Sequence, residues 1–259
     1  MNSLIKFLII LSILLLLLLY KNNKICDEYN NTFINPQLLY INLDKDKERN
    51  NQFKEEFKNW QTKIERVSGI KHEKGWIGCI MSHLKCIKIA KERNYPWVII
   101  CEDDCVLTSS AISQFYNLLP YLWNNKNEWD IFMGGCTSIG NEHIISCNPI
   151  LYKVSAYTTH FCLINNKTYN KIIDFYKNLD IIKLNEEDYA IDVIYRRNYF
   201  VCTTTPFFSK QRTSFSNLAN KYVNYNNLFD DSEKILLKLK EKMCKNKNIV
   251  SISYKGLVT

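Results

Sequence analysis

Three carboxylates stand in a row at Glu102, Asp103 and Asp104, with no basic residue among them. They follow Trp97 to Cys101, an apolar run rich in β-branched residues. An Asn94-Tyr95-Pro96 turn signal precedes the run, so it reads as a buried strand. Side chains at i and i+2 of a strand share a face, which points Glu102 and Asp104 together and Asp103 away. Carboxylates packed this closely repel, and the usual remedy is a hard divalent cation with oxygen ligands. The end of a core strand is where an α/β enzyme holds a metal and a diphosphate. A solvated acidic turn is the plain alternative.

Other groups with chemistry flank this stretch. Gly75-Trp76-Ile77-Gly78-Cys79 runs into a helix, and glycines just ahead of a helix let a ligand approach free backbone N–H groups. Cys79, His83 and Cys86 have a spacing that invites zinc, but no second ligand pair matches it. His83 and His160 also read as satisfied core histidines. A second acidic cluster, Asn185-Glu186-Glu187-Asp188, leads into a helix expected over 188–197.

The elements that must position these groups can be read in order. Leu38 to Asn42 is a first strand. Asp44 can cap a helix whose stripe is Phe53, Phe57 and Trp60. Lys63 to Val67 reads as a second strand, and Ile80, Leu84, Ile87 and Ala90 as the stripe of the next helix. After the acidic stretch, Ser109 or Ser110 can cap a helix through Phe115, Leu118, Leu119 and Leu122. Trp129 to Phe132 is a strand ending at Gly134-Gly135, residues 139–148 read as loop, and residues 150–154 and 161–164 as strands. A helix from Tyr169 to Leu179, a strand over 199–203 and a basic helix over 231–243 complete the body. Strands alternating with helices predict a mainly parallel α/β sheet.

The chain has 259 residues, of which 46% are hydrophobic and 23% charged, with a formal net charge of +8. That is the balance of a globular protein, long enough for one substantial α/β domain. The lysines are spread along the chain. Such a charge can favour anionic ligands such as nucleotides or a membrane surface, but Asn, Lys and Ile are abundant throughout, and compositional bias is the stronger reading. No nucleic-acid motif or aromatic-interleaved basic strip is present, so nucleic acid is not expected as a partner.

Residues 4–20 are apolar except for Lys6 and Ser12. As a helix they span about 25 Å, near the lower limit for crossing a bilayer. The absence of small residues before a cleavage point favours an uncleaved signal anchor over a signal peptide. The expected organisation is an anchor over 1–20, a polar stem over 21–36 and a single domain over 37–259. All ten cysteines follow the anchor. Cys101, Cys162 and Cys202 sit in apolar strands and read as buried thiols. Asn30-Asn31-Thr32 and Asn166-Lys167-Thr168 are glycosylation sequons, usable in a lumenal body.

The order of these pieces resembles the family 25 glycosyltransferases, which include bacterial lipopolysaccharide sugar transferases and collagen galactosyltransferases. The matching stretches are Tyr40-Ile41-Asn42-Leu43-Asp44 with Arg49, Arg66-Val67-Ser68-Gly69, and Gly75 to His83. They continue with Glu102-Asp103-Asp104, Gly134-Gly135, Thr159-His160, Asp188, and Pro206 with Gln211. The resemblance implies a nucleotide-sugar-binding, Rossmann-type α/β fold of the GT-A kind. Glu102 and Asp104 then become ligands of a divalent cation, Mn2+ in most of the family, with Asp103 beside the donor. Asn42, Asp44 and Arg49 would meet the nucleotide, and Gly75, Gly78, Ser82 and His83 would line the donor pocket. Lys45, Trp76 and the Phe161-Cys162 pair depart from the family pattern, which bears on sugar identity. Charge counting around the anchor would place the body in the cytosol. The resemblance instead implies a type II membrane protein with its body in an ER- or Golgi-like lumen.

The reaction this implies is metal-dependent transfer of galactose or glucose from a UDP-sugar to a hydroxyl of a glycan, glycolipid or protein, with inversion. A carboxylate must then accept the acceptor's proton. Asp188 is the first candidate, with Glu187 and Asp192 behind it. The plain reading of Asp188 is a helix N-terminal charge held by the dipole. Two other classes fit the same residues. One is a non-catalytic sugar- or nucleotide-binding membrane protein that kept the fold; the other is a structural protein whose acidic clusters bind Ca2+.

Overall fold

Alternate residues of the central strand face two different cores, and that alternation organises the molecule. Strand β3 (Trp97–Glu102) sends Val98 and Ile100 to one side and Trp97, Ile99 and Cys101 to the other. β1 (Gln37–Asn42) does the same with Leu39 against Leu38 and Tyr40. The computed structural model describes residues 33–216 and 221–244. From Asn35 onward these form one compact unit. The expected anchor over 1–20 and most of the expected stem lie outside the described residues. Among those described, no helix is long and apolar enough to cross a membrane.

The main sheet has eight strands in the order β2-β1-β3-β8-β5-β9-β7-β6. These are β2 (Ile64–Ser68), β5 (Ile131–Met133), β6 (Thr137–Cys147), β7 (Ile150–Tyr157), β8 (Phe161–Asn165) and β9 (Val201–Thr203). Pairing is parallel for β1 with β2, β1 with β3, and β5 with β9. It is antiparallel where β8 sits between β3 and β5, and through β9, β7 and β6. The sheet is therefore mixed, not mainly parallel as predicted. Between β5 and β8 the chain has no helix to make a parallel crossover; it folds back instead as the β6–β7 hairpin. The stretch read as loop is thus strand β6. Its register shifts, and Ser138 and Asn141 adopt positive φ, so it lacks the clean alternation of a strand. A disulfide joins Cys147 at the end of β6 to Cys244.

Helices cover both faces. On one side lie α1 (Lys47–Glu56) and α3 (Ala111–Asn124); on the other lie α2 (Gly75–Glu92) and α4 (Tyr169–Lys177). Tyr40, Phe53 and Phe57 stack with ring centroids 4.2 Å apart at each step, and the Tyr40 hydroxyl donates to Asn50 Oδ1 at 2.6 Å. This stack fixes α1 on the sheet and so fixes Arg49, which projects from it. Asp44 does not cap α1. Asp46 holds the N-cap position, and the Asp44 carboxylate is drawn instead to Arg66, 2.5 Å away. Ser110 holds the N-cap position of α3 without a side-chain capping bond.

The predicted 188–197 helix is two: α5 (Glu186–Tyr189) and α6 (Ile191–Asn198), broken at Ala190 in an extended conformation. The terminal helix α7 (Asn226–Cys244) starts earlier than its charge pattern indicated. Cys101, Cys162 and Cys202 are buried thiols as expected.

Candidate functional site

The acidic triplet lies where β3 gives out. Asp103 and Asp104 form the turn between β3 and β4 (Cys105–Leu107), and β4 pairs with β10 (Ser209–Gln211). That ribbon holds the turn from outside: Arg212 N donates to Asp104 O at 2.7 Å. Glu102 and Asp104 line two clefts together, but Asp103 does not point away as strand alternation predicted: β3 ends at Glu102, and the turn brings Asp103 into the first cleft, where Arg49 meets both aspartates.

The first cleft lies beside β1, α1 and α2. Asn42, buried at the end of β1, donates to Asp103 Oδ2 at 2.7 Å and to Asp46 O at 3.0 Å, and accepts from Arg66 Nε at 2.9 Å. Arg49 pairs with Asp103 and lies 3.1 Å from Asp104 Oδ2. Gly75 and Gly78 also line this cleft, but inside the first turn of α2 rather than ahead of it. A Cβ on Gly78 would sit 2.5 Å from Ile70 O, so glycine is required for the loop over 70–72 to pack on the helix. Ser82 locks the same loop: its hydroxyl donates to Gly78 O at 2.7 Å and accepts from Ile70 N at 2.8 Å. Of the predicted donor-side residues, Asn42, Arg49, Gly75, Gly78, Ser82, His83 and Asp103 meet here with Glu102 and Asp104. Asp44 is not among the lining residues and is exposed on Arg66.

The second cleft shares Cys79, Glu102 and Asp104 with the first. Its other walls come from the segment after β7 and from α5, α6 and β10. Thr159 Oγ1 donates to Glu102 Oε1 at 2.6 Å. Thr158, at φ 83°, takes a left-handed conformation rare for a β-branched residue, and its N–H faces Asp192 Oδ2 at 3.4 Å. Asp192 and Glu186 line the cleft, with Tyr157 and Tyr225 as aromatic walls. Asp188 does not. It is 54% exposed, salt-bridged to Arg197 at 3.0 Å, and held by Asn185, whose side chain accepts from Asp188 N at 2.9 Å. Asp188 therefore sits in the first turn of a four-residue helix, capped by Asn185, and the hydrogen bond from Arg197 keeps its pKa low. Glu187 is exposed and lines neither cleft.

Charges in the site are unevenly settled. Burial disfavours ionised Glu102, but contacts with His83 and Thr159 outweigh it and hold its pKa at about 2. Burial and then the fixed Glu102 charge push Asp104 up to about 7, with Arg49 only partly opposing them. Burial raises Asp192 too, and Glu102 adds to that. Asp104 Oδ1 is buried without a hydrogen-bond partner. Three adjoining carboxylates, one of them with an oxygen unsatisfied, are a donor set that fits a hard cation. His83, Cys79 and Glu102 also form a group able to hold a metal, with ligand atoms within 4.8 Å of one another. Glu102 takes the place that spacing alone gave to Cys86, which is buried in the core.

Sequence reasoning missed the second cleft as a unit. Thr159 and Gln211 carried a signal through the family resemblance and Glu186 through the second acidic cluster, but Tyr157 and Tyr225 had none. The Gly134-Gly135 pair is structural: a Cβ on Gly135 would lie 2.0 Å from Ser209 O.

Residues 73–194 match the family described as Glycosyltransferase family 25 (LPS biosynthesis protein). The match spans Cys79, His83, the acidic triplet and Asp192, and it supports glycosyl transfer in general. No curated protein matches the chain. Among solved structures, a putative glucose-1-phosphate thymidylyltransferase from Bacillus anthracis in complex with a sucrose is similar at 12% identity, over 74% of this chain and 79% of that one, with TM-score 0.38. The glycosyltransferase GlyE of Streptococcus pneumoniae TIGR4 is 13% identical over 66% of this chain and 45% of its own, with TM-score 0.35. HddC from Yersinia pseudotuberculosis is 10% identical over 71% and 75%, with TM-score 0.35.

Proposed function

We propose that this protein is a GT-A-type hexosyltransferase. It takes galactose or glucose from a UDP-sugar and passes it, with inversion, to a hydroxyl of a glycan, glycolipid or protein. The observation that carries this reading is the placement of Glu102 and Asp104 on the wall common to two clefts, with Asp104 Oδ1 unsatisfied between them. The donor lies in the first cleft, with its diphosphate at the acidic turn. Glu102 and Asp104 would hold a divalent cation, Mn2+ by the family resemblance, which when bound neutralises charge developing on the departing diphosphate. Arg49 keeps Asp103 and Asp104 in place, and Asn42 braces Asp103 from the other side. The loop over 70–72, fastened by Gly78 and Ser82, forms the opposite wall.

The acceptor enters the second cleft, where Tyr157 and Tyr225 supply aromatic walls against which a sugar ring can rest. Asp192 accepts the proton of its hydroxyl as that oxygen attacks the anomeric carbon. Burial and the nearby Glu102 charge raise the basicity of Asp192, which suits the role. Asp188, turned outward onto Arg197, is left with a structural part.

The body is proposed to face an oxidising lumen behind an N-terminal anchor. The Cys147–Cys244 disulfide supports that placement, since such bonds persist in oxidising compartments. The experiment that tests the function is a screen of UDP-sugars with the purified chain, with and without Mn2+, reading UDP release and the anomeric configuration of the product. Mn2+-dependent release of UDP from one hexose donor, with an inverted product, is expected. Tight UDP-sugar binding with no turnover on any acceptor would make the protein a non-catalytic binder instead.

A further inference from the structure

We propose that Cys79, His83 and Glu102 bind a borderline transition-metal cation, Zn2+ first among them, on the wall between the two clefts. Cys79 and His83 are four residues apart on α2, so they project from one face of the helix. Glu102 reaches them from the end of β3, and the three ligand atoms lie within 4.8 Å of one another. An independent observation points to a ligand. His83 is completely buried, yet neither ring nitrogen has a hydrogen-bond partner; Nε2 stops 3.4 Å from Glu102 Oε1. A buried polar group left unsatisfied is destabilising, and coordination satisfies one of the two nitrogens.

Cys79 keeps some exposure and lines both clefts, so the three ligands meet at a cleft wall rather than inside the core. Three protein ligands with one open position is the pattern of reactive rather than structural zinc. A thiolate and an imidazole select Zn2+ or Co2+ over Mg2+ and Mn2+, which the oxygen-only set at the acidic turn suits better. As the metal–sulfur bond forms, the Cys79 thiol gives its proton to solvent. This site goes beyond the glycosyl-transfer reading; it shares Glu102 with that reading's cation site, and Cys79 and His83 are its own ligands.

The test is titration of the metal-free full chain with Co2+, followed by optical absorption. Expected are one bound equivalent, a near-ultraviolet sulfur-to-cobalt charge-transfer band, visible bands of tetrahedral intensity, and displacement of all of these by Zn2+. Cys79→Ser should remove the charge-transfer band and weaken Co2+ binding by about tenfold or more. Cys86→Ser should leave both unchanged. Asp104→Asn should keep the cobalt spectrum while losing Mn2+-dependent UDP binding, so failure of this site and failure of the transferase reading are separable. Co2+ that binds without a charge-transfer band, or a band that survives Cys79→Ser, would overturn the proposal. X-ray absorption at the zinc edge of the wild-type protein gives a readout that needs no variant. A single sulfur at about 2.3 Å supports the site, and a shell of nitrogen and oxygen alone overturns it.

Discussion

The two clefts beside the acidic turn are built on opposite principles. In the first, most polar groups are matched: Asn42 saturates its amide on Asp46, Asp103 and Arg66, Arg49 answers two carboxylates, and Ser82 both donates and accepts, while His83 and Asp104 Oδ1 are the exceptions on its inner wall. In the second, carboxylates gather with less to balance them: Asp104, Asp192 and Glu186 all have raised pKa values, with burial the first cause of each. A matched wall holds a ligand's position at no cost in rearrangement. An acidic wall short of positive charge stores basicity and attracts cations. The contrast assigns positioning to one cleft and proton transfer to the other, with Glu102 as the hinge between them.

The largest effect that would break this contrast is at the shared wall. Asp104→Asn should lower turnover by about a thousandfold or more, on the scale of losing an electrostatic contact to the leaving group. It should leave the melting temperature of the metal-free protein unchanged or higher, because it removes a buried, poorly compensated charge. Loss of activity together with collapse of the fold would make Asp104 a structural residue. Next comes the pair Asp192→Asn and Asp188→Asn. The first should reduce kcat by about a hundredfold to ten-thousandfold with donor binding retained, and the second should stay close to wild type. The reverse ranking would put the base on the outer helix and dissolve the second cleft as an acceptor site.

Arg49→Ala probes the matched side. It strands Asp103 and Asp104 and should cost about 3 kcal/mol of stability, as breaking a largely buried ion pair does, measured by denaturant unfolding. Gly78→Ala should cost about 1–3 kcal/mol by forcing the loop over 70–72 off the helix. It should raise KM for the donor and leave the acceptor KM unchanged. The smallest effect is on acid stability. Burial holds the His160 pKa at about 4 against an ordinary 6.5. The unfolded chain therefore takes up the proton first, and stability is untouched above 6.5 and falls progressively as pH drops from 6.5 toward 4. His160→Gln should flatten that part of a Tm-against-pH curve.

The matched cleft was legible in the sequence as a unit and the acidic one only as scattered residues, for a physical reason. Asn42, Arg49, Gly78 and Ser82 sit on a strand and two helices whose periodicity announces them, and the family resemblance ordered them. The second cleft is assembled from β10, the Thr158 turn and the break at Ala190. These are short or irregular pieces whose residues carry no period. In the sequence Asp188 is the first candidate for the base as one of the positions matching the family pattern, with Asp192 behind it. The break at Ala190 turns Asp192 to the cleft and leaves Asp188 outside. The same limit hid strand β6, whose register shifts and positive-φ residues blur its alternation.

The central claim is that the acidic turn grips a nucleotide's diphosphate through a cation. Calorimetry of UDP binding to the wild type and to Asp104→Asn, with and without Mn2+, tests it most directly. The account predicts binding by the wild type that appears with Mn2+ and vanishes in the variant. UDP binding of equal strength in all four experiments, or in none of them, would contradict it.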